Sequence, residues 1–364
     1  MIKLSKPYIG TEELEEIKKV MESGCAAGTC PEVTKFEEKF AEFVGSKYAV
    51  ATSSATTALH LACLALNIGK GSKAVCPSYT FPATGFAPLY TGANLEIVDV
   101  EPDTFNLDVE TLPHEYRPDV IIPVHCFGNP ADMCMIEDYA IENDTKIIED
   151  AACAIPAYHE SKHAGTRGDI GCYSFYAIKN LCTGEGGMLV TDNEEIAEKA
   201  RSLCDFGKTT TKPLPKFTQL GYNYRLSAIQ AAMGLEQIKK LPWMHKQRIR
   251  IAQLYNKFIE DELSGFVAPQ VIMDGCTSAY QRYAVVLSQK IDRDKVIEDI
   301  ARKGVQTTIG TYCLSSQPYF KDYKNENPVS RMLFNQSISL PMYPELTEIE
   351  VQIVCNTLKE CVLH

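Results

Sequence analysis

In YSFYAIKNLCTGEGGMLVTD, residues 173–192, one lysine stands alone. Lys179 follows an apolar run that ends at Ile178 and precedes a turn containing Gly184, Gly186 and Gly187. A deprotonated lysine amine can condense with an aldehyde. Taken by itself, a solvated lysine ahead of a hairpin is the commoner arrangement, so other residues must decide. In KIIEDAACA, Asp150 closes an apolar strand pattern. Ligands of parallel sheets lie beyond the carboxyl ends of the strands. A carboxylate there can hold a cationic nitrogen by a charge-assisted hydrogen bond, or it can cap the next helix. In KYAVAT followed by SSATTALHLACLAL, a short strand runs straight into an apolar helix. The unpaired N–H groups and dipole of a helix start can hold a phosphate. Ser54 and Ala55 are small enough for close approach and Thr56 adds a hydroxyl, although Ser54 acting only as a cap competes with this reading. Ser174, near the strand end before Lys179, offers another hydroxyl for an anion. Phe81, in PSYTFPAT, could stack on a flat ring or fill core.

A phosphate cradle, an aspartate for a ring nitrogen and a lysine for an aldehyde are the three handles of pyridoxal phosphate, an electron sink whose ring nitrogen needs an acidic partner. They occur in that order, each at the end of an expected strand. The GEGG run lacks the strand-to-helix context of a dinucleotide fingerprint and the spacing of a P-loop. No cysteine pair or Cys/His cluster has zinc spacing, so no metal is expected.

The elements that must position these residues alternate. AVCP, LEIVDV, VIIPVH, KIIED, GCYSFY and GMLVT are mostly continuous apolar runs, as in strands covered on both faces. A first helix is expected from a cap at Thr11, with Leu14, Ile17 and Met21 as one face and a stop at Gly24. A second opens at Pro31 and ends at Gly45. Further helices are expected near Glu194–Phe206 and Ser227–Leu241. Past Leu241 a strand candidate (Gln281–Leu287), a helix opened by Asp292, a strand (Gln306–Tyr312) and a helix (Thr347–Cys361) read as a smaller α+β domain. The expected division is 1–240 and 241–364.

The chain has 364 residues, 45% hydrophobic and 23% charged, with net charge −11. That balance suits a globular protein and disfavours nucleic-acid binding, which needs basic patches. MIKLSKPYIGTEELEE has no apolar leader core, and no stretch approaches a membrane span. The fourteen cysteines are scattered, many inside apolar runs, and read as small buried hydrophobes in a reducing cytoplasm.

The whole pattern resembles the DegT/DnrJ-like sugar aminotransferases, which are fold type I pyridoxal-phosphate enzymes with an aspartate-aminotransferase-like α/β fold. The matching stretches include SSATTALHLACLAL, PSYTFPATGFAPLYTGANLEIVDVEPDTFNLD, IIPVHCFGNPADM, IIEDAACA, YSFYAIKNLCTGEGGMLVTD, GYNYRLSAIQAAMGLEQI and SISLPMYPELTEIE. The resemblance implies that Lys179 bonds the cofactor and shuttles the proton, and that Asp150 pairs with the ring nitrogen. Ala55, Thr56 and Ser174 would hold the phosphate and Phe81 would cover the ring. Asn223, in GYNYR, would reach the cofactor of the other subunit, making a homodimer part of the active site. Cys153 stands where the family usually has Gln or His, so a side chain beside the ring is a weaker hydrogen-bonding group. SGCAAGTCPEV, with Cys25 and Cys30, departs from a loop that often carries Trp and Gly-Pro. The implied reaction moves an amino group from L-glutamate to a nucleotide-linked keto sugar, with the SSAT variant pointing to C4 of a 4-keto-6-deoxy sugar. A C3 keto sugar, a cyclitol ketone, or a non-catalytic regulatory protein of the same fold are the alternatives. His125 reads as a packed histidine, and Tyr224 and Arg225 as either a phosphate site across a dimer or a helix-opening ion pair.

Overall fold

The apolar runs become a seven-stranded sheet. The computed structural model describes residues 1–209, 214–323 and 326–363. The strands are β1 (Tyr48–Thr52), β2 (Lys73–Pro77), β3 (Asn94–Val98), β4 (Val120–Ile121), β5 (Lys146–Asp150), β6 (Ile170–Ser174) and β7 (Gly187–Thr191). Their order across the sheet is β1-β7-β6-β5-β4-β2-β3. Only β7 runs against its neighbours. Helices lie on both faces, which is why β6 and β7 are buried along their whole length. This is the expected α/β architecture with a mostly parallel central sheet.

Ten helices are described: α1 (Thr11–Ser23), α2 (Pro31–Val44), α3 (Ala55–Ala65), α4 (Pro82–Tyr90), α5 (Met133–Asn143), α6 (Glu194–Cys204), α7 (Ala228–Glu262), α8 (Arg293–Arg302), α9 (Pro328–Gln336) and α10 (Glu348–Leu363). A second, antiparallel sheet comes from β8 (Val267–Pro269), β9 (Tyr283–Leu287), β10 (Thr308–Ile309) and β11 (Ser337–Leu340), in the order β8-β9-β11-β10. With α8 and α10 it forms the expected C-terminal α+β part.

Several local expectations change. The cap of α1 is Gly10 rather than Thr11, and the Glu13 side chain accepts the Gly10 N–H at 2.8 Å. Leu14 and Met21 are exposed, while Glu13 and Val20 are buried. The reason is a polar contact: Glu13 accepts from Gln237 Nε2 and Lys240 Nζ, both at 2.7 Å, which turns that face of α1 onto α7. The helix expected to end at Leu241 continues to Glu262. Pro242 lies inside it. Apolar contacts on both sides of that proline carry the helix on, with Leu241 and Met244 in one core and Ile251, Tyr255 and Ile259 in another. The expected division at 240/241 therefore falls within α7. Cys25 and Cys30, read as free, are joined by a disulfide across the α1–α2 loop, where their Cα atoms are 5.9 Å apart. The other twelve cysteines are free and eight of them are buried.

Beneath the sheet, His163 is 2% exposed among the rings of Phe43, Tyr158 and Tyr173. Its Nδ1–H donates to the Ala164 carbonyl at 2.8 Å, and Nε2 is buried without a partner among the described residues. Burial pushes its pKa from 6.5 down to about 4. Between those values the unfolded chain binds a proton that the folded chain refuses. Stability therefore falls as pH drops through that window. The cost attributable to His163 approaches roughly 3 kcal/mol at the acid end. Denaturant titrations of the wild type and His163→Gln from pH 7 to pH 4 check this, because the variant should lose less stability on acidification.

Candidate active site

One cavity of about 470 Å³ opens at the carboxyl ends of the parallel strands. Ala55, Thr56, Phe81, Asp150, Cys153, Ser174 and Lys179 all line it. These residues are up to 124 positions apart in the chain, from Ala55 to Lys179. The sheet brings them together.

At one end, β1 runs into α3. Ser54 caps the helix, its Oγ accepting the Thr57 N–H at 3.2 Å. The capping reading is thus correct, and it is compatible with anion binding. The N–H groups of Ala55 and Thr56 precede the first intrahelical bond, from Ala58 to the Ser54 carbonyl, and both residues line the cavity. Gly187 pairs with Thr52 on one side and Ser174 on the other, so β7 carries Ser174 next to the start of α3. A Cβ on Gly187 would lie 2.4 Å from the Ser54 carbonyl carbon and 2.6 Å from the Ala55 nitrogen. Only a glycine lets the helix start sit that close to the strand.

At the other end, Asp150 closes β5 and is 6% exposed. Its Oδ2 accepts from Thr84 Oγ1 at 2.8 Å and its Oδ1 from the Ala152 N–H at 3.1 Å. Burial raises the Asp150 carboxyl above the usual carboxylate range, while the Thr84 and Ala152 hydrogen bonds and the Lys179 charge pull it back in part. A buried carboxylate without a bonded cation favours any cationic nitrogen that enters beside it. Thr84, in α4, was not picked out from the sequence. It follows Phe81 by three positions, but nothing local signals that its hydroxyl meets a carboxylate 66 residues away.

Lys179 is half-buried, and its Nζ donates to Cys153 Sγ at 2.9 Å. Its loop is clamped. Gln281 Nε2 donates to the Ile178 carbonyl at 2.9 Å, and Asn180 Nδ2 donates to the carbonyls of Ile155 and Ala279 at 2.9 and 2.8 Å. Gln281, Asn180 and Arg282, which also lines the cavity, were missed by sequence reasoning. Asn180 lies in the loop after Lys179 and Gln281 and Arg282 directly before β9, and they act through tertiary contacts.

Phe81 caps α4 and is 62% exposed, with its ring centroid 6.1 Å from that of Tyr312. Asn223 does not line the cavity of its own chain. It is exposed and bridges Asp205 in the segment that runs past the end of β1, where the Ser53 N–H donates to the Tyr224 carbonyl. Arg225 pairs with Asp205, as in the ion-pair reading. His125 is fully buried. Its Nδ1 accepts the Ala131 N–H at 3.0 Å, so Nε2 carries the proton and donates to Glu149 Oε2 at 2.9 Å. Glu149 also accepts the N–H groups of Gly165, Arg167 and Gly168, which makes this pair a structural tie behind the site. Burial would raise the Glu149 carboxyl, but His125 and those N–H groups hold it below the usual range.

A half-buried amine, a buried carboxylate and a helix start sharing one cavity, on a sheet of this topology, define a fold type I enzyme site. Residues 7–359 match the DegT/DnrJ/EryC1/StrS aminotransferase family, and the chain belongs to it. It is an aminotransferase of the sugar aminotransferase family. Uncharacterized protein MJ1066 of Methanocaldococcus jannaschii is 36% identical, over 98% of this chain and 96% of that protein. Spore coat polysaccharide biosynthesis protein SpsC of Bacillus subtilis is 33% identical over 98% and 96%. The crystal structure of a DegT/DnrJ/EryC1/StrS aminotransferase from Brucella abortus superposes with a TM-score of 0.89 at 31% identity, covering 97% of this chain and 95% of that one.

The family depends on pyridoxal phosphate, and the cavity fits that group. The helix start beside Gly187 leaves room for a phosphate against backbone, Asp150 is a buried anion in want of a cation, and the Lys179 amine reaches the same space.

Proposed function

We propose that the protein binds pyridoxal phosphate and transfers an amino group from L-glutamate to C4 of a nucleotide-linked 4-keto-6-deoxy sugar. The observation that carries this is the convergence of Lys179, Asp150 and the α3 start on one cavity. The N–H groups of Ala55 and Thr56 and the Ser174 hydroxyl hold the phosphate. Asp150 keeps the ring nitrogen protonated, and Thr84 holds the carboxylate in place at 2.8 Å. Phe81 covers one ring face. Bound there, the cofactor supplies the electron sink that lets a proton leave the reacting carbon. Lys179 Nζ takes that proton and returns it, and the clamps at Ile178 and Asn180 keep the amine in reach. Cys153 Sγ receives the amine's hydrogen bond as a weak partner, which leaves Lys179 free to move.

The reading includes a homodimer in which Asn223 of the partner subunit completes the phosphate site. Asn223 is exposed and outside its own cavity, and the segment leading to it shows Phe217 and Leu220, 68% and 84% exposed. Such apolar exposure suits burial against a second copy. Twelve of the fourteen cysteines are free, which supports a reducing, cytoplasmic setting, and the one disulfide, Cys25–Cys30, counts against it. SpsC, a polysaccharide biosynthesis protein by name, supports a sugar product destined for a glycan.

The test is optical. The purified protein is loaded with pyridoxal phosphate, and L-glutamate is added. The visible band should bleach, and a 4-keto-6-deoxy sugar nucleotide should restore it. Restoration only by a 3-keto sugar or a cyclitol ketone would move the substrate to those classes. A protein that never becomes coloured would leave a binding or regulatory role.

A further inference from the structure

The Cys25–Cys30 disulfide lies outside the cavity of its own chain, and the proposed chemistry gives it no task. It joins cysteines 5 positions apart in the loop between α1 and α2. A link that short removes little freedom from the unfolded chain, so stabilising the fold is a weak reason for it. Its contacts give a better one.

The closed loop packs against the segment that carries Asn223. The Ala228 N–H, at the start of α7, donates to the Ala26 carbonyl at 3.1 Å. A Cβ on Gly28 would lie 2.7 Å from Arg225 Cβ and 2.7 Å from the Leu226 carbonyl oxygen, so the loop sits directly on that backbone. Cys30, Leu226 and Ala228 share one core, with Cys25 packed against it. The same segment is tied to β1, where Thr52 bridges Arg225 and the Ser53 N–H donates to the Tyr224 carbonyl at 2.7 Å. Arg225 in turn pairs with Asp205, which bridges Asn223. Loop, Arg225, Asp205 and Asn223 thus form one run of contacts.

The two sulfurs differ in access. Cys25 is half-buried between exposed Gly24 and Ala26, whereas Cys30 is 3% exposed. An external thiol therefore reaches Cys25 first. Cys30 is the N-cap of α2, and its side chain makes no capping hydrogen bond while it is in the disulfide. A thiolate released there lies at the positive end of a helix dipole and can accept from the free N–H groups of the first turn, although Glu32 in that turn opposes it in part. A sulfur so placed is a good leaving group.

We propose that Cys25–Cys30 is a reversible thiol–disulfide site, opened by an external thiol, whose closed form tightens the hold on pyridoxal phosphate through Asn223. This rests on the homodimer reading above, in which Asn223 reaches the cofactor of the other subunit. A thiolate of the reductant attacks Cys25 Sγ, the S–S bond breaks, and Cys30 leaves with the electron pair and takes a proton. A second thiol of the reductant attacks the mixed disulfide and frees Cys25. Two electrons and two protons pass to the pair, and the reductant becomes a disulfide. The opened loop no longer fixes Ala26 and Gly28 against Arg225–Ala228, so Asn223 is positioned less tightly.

Thiol counting and cofactor binding test this on one preparation. The chain has 14 cysteines, 12 of them free, so wild type purified without reductant should show 12 thiols when unfolded, and 14 after dithiothreitol. The reductant is removed without air, and pyridoxal phosphate binding is measured by equilibrium dialysis. Reduced protein should bind roughly tenfold more weakly, the loss expected for one hydrogen bond. Cys25→Ala/Cys30→Ala should bind like the reduced protein and ignore dithiothreitol; if it does not fold, the reduced wild type decides. Asn223→Ala should bind weakly in both states, with no further loss on reduction. A full set of thiols before reduction, or equal affinity in both states, would overturn the inference. So would an Asn223→Ala protein that still weakens as much as wild type on reduction, because the effect would then not pass through Asn223. A protein that takes up no pyridoxal phosphate in either state overturns the cofactor reading itself, and one that sediments as a monomer overturns the homodimer reading. A cofactor-binding dimer that reduction leaves unchanged overturns this inference alone.

Discussion

Lys179→Ala should abolish amino transfer, with kcat falling on the order of 10⁴-fold or more, because in the proposed reaction the side chain is both the covalent anchor and the proton carrier. The variant should still fold. Lys179 is half-buried and its amine hydrogen-bonds Cys153 Sγ. The clamps on its loop run through the Ile178 carbonyl and the Asn180 side chain, which the substitution leaves in place. Two readouts check the expectation. Cofactor-loaded wild type should show a visible band that the variant lacks. Borohydride reduction followed by peptide mapping should fix the cofactor to the peptide containing Lys179 in the wild type and to none in the variant. A variant that retains turnover, or a wild type modified at another lysine, would remove Lys179 from the centre of the site.

Asp150→Asn should give the second largest loss, roughly 10²- to 10³-fold in kcat, as for removal of one preorganised charged partner. Asparagine keeps the shape and can still accept from Thr84, but it cannot hold a protonated ring nitrogen by a charge-assisted bond. The same change should act oppositely on the protein without cofactor. There Asp150 is a buried carboxylate whose pKa burial raises above its ordinary 3.8. The folded chain keeps that proton to higher pH than the unfolded chain. Its stabilising share is therefore present below the ordinary value and is lost as pH rises through the raised one. At neutral pH, Asp150→Asn relieves the buried charge, so the cofactor-free variant should melt higher than cofactor-free wild type. Loading with cofactor should stabilise wild type more than the variant. Thermal melts of both proteins, with and without pyridoxal phosphate, test this crossing. Equal melting shifts on loading would mean that Asp150 does not meet the cofactor's cationic nitrogen.

The core of the site was legible because its residues sit where local pattern changes. Asp150 ends an apolar strand, Ser54–Thr56 stand between a strand and a helix, and Lys179 precedes a glycine turn. Each of those boundaries is visible in a few residues, since strand burial demands apolar runs and helix starts demand small or polar side chains. Residues that support the site were not legible. Thr84 sits inside a helix, Asn180 in a loop, and Gln281 and Arg282 before a strand, and each gains its role from a partner far away in the chain. The length of α7 was misread because Pro242 breaks the local pattern, whereas two separate cores support the helix on either side. The face of α1 was misread because a buried acid, Glu13, outweighed exposed Leu14 and Met21.

What the sequence by itself determined is the chemistry available: a lone lysine, an aspartate and a small-residue helix start, on strands that must be covered on both faces. The tertiary structure decided which of these meet. The antiparallel insertion of β7 between β1 and β6 places Gly187 against both Thr52 and Ser174, which puts the strand end before Lys179 beside the start of α3. The C-terminal part then adds Gln281 and Arg282 to the same cavity. Strand order and long-range packing have no signature in local spacing, because they arise from burying whole faces against one another, and only their outcome turns separate side chains into one site.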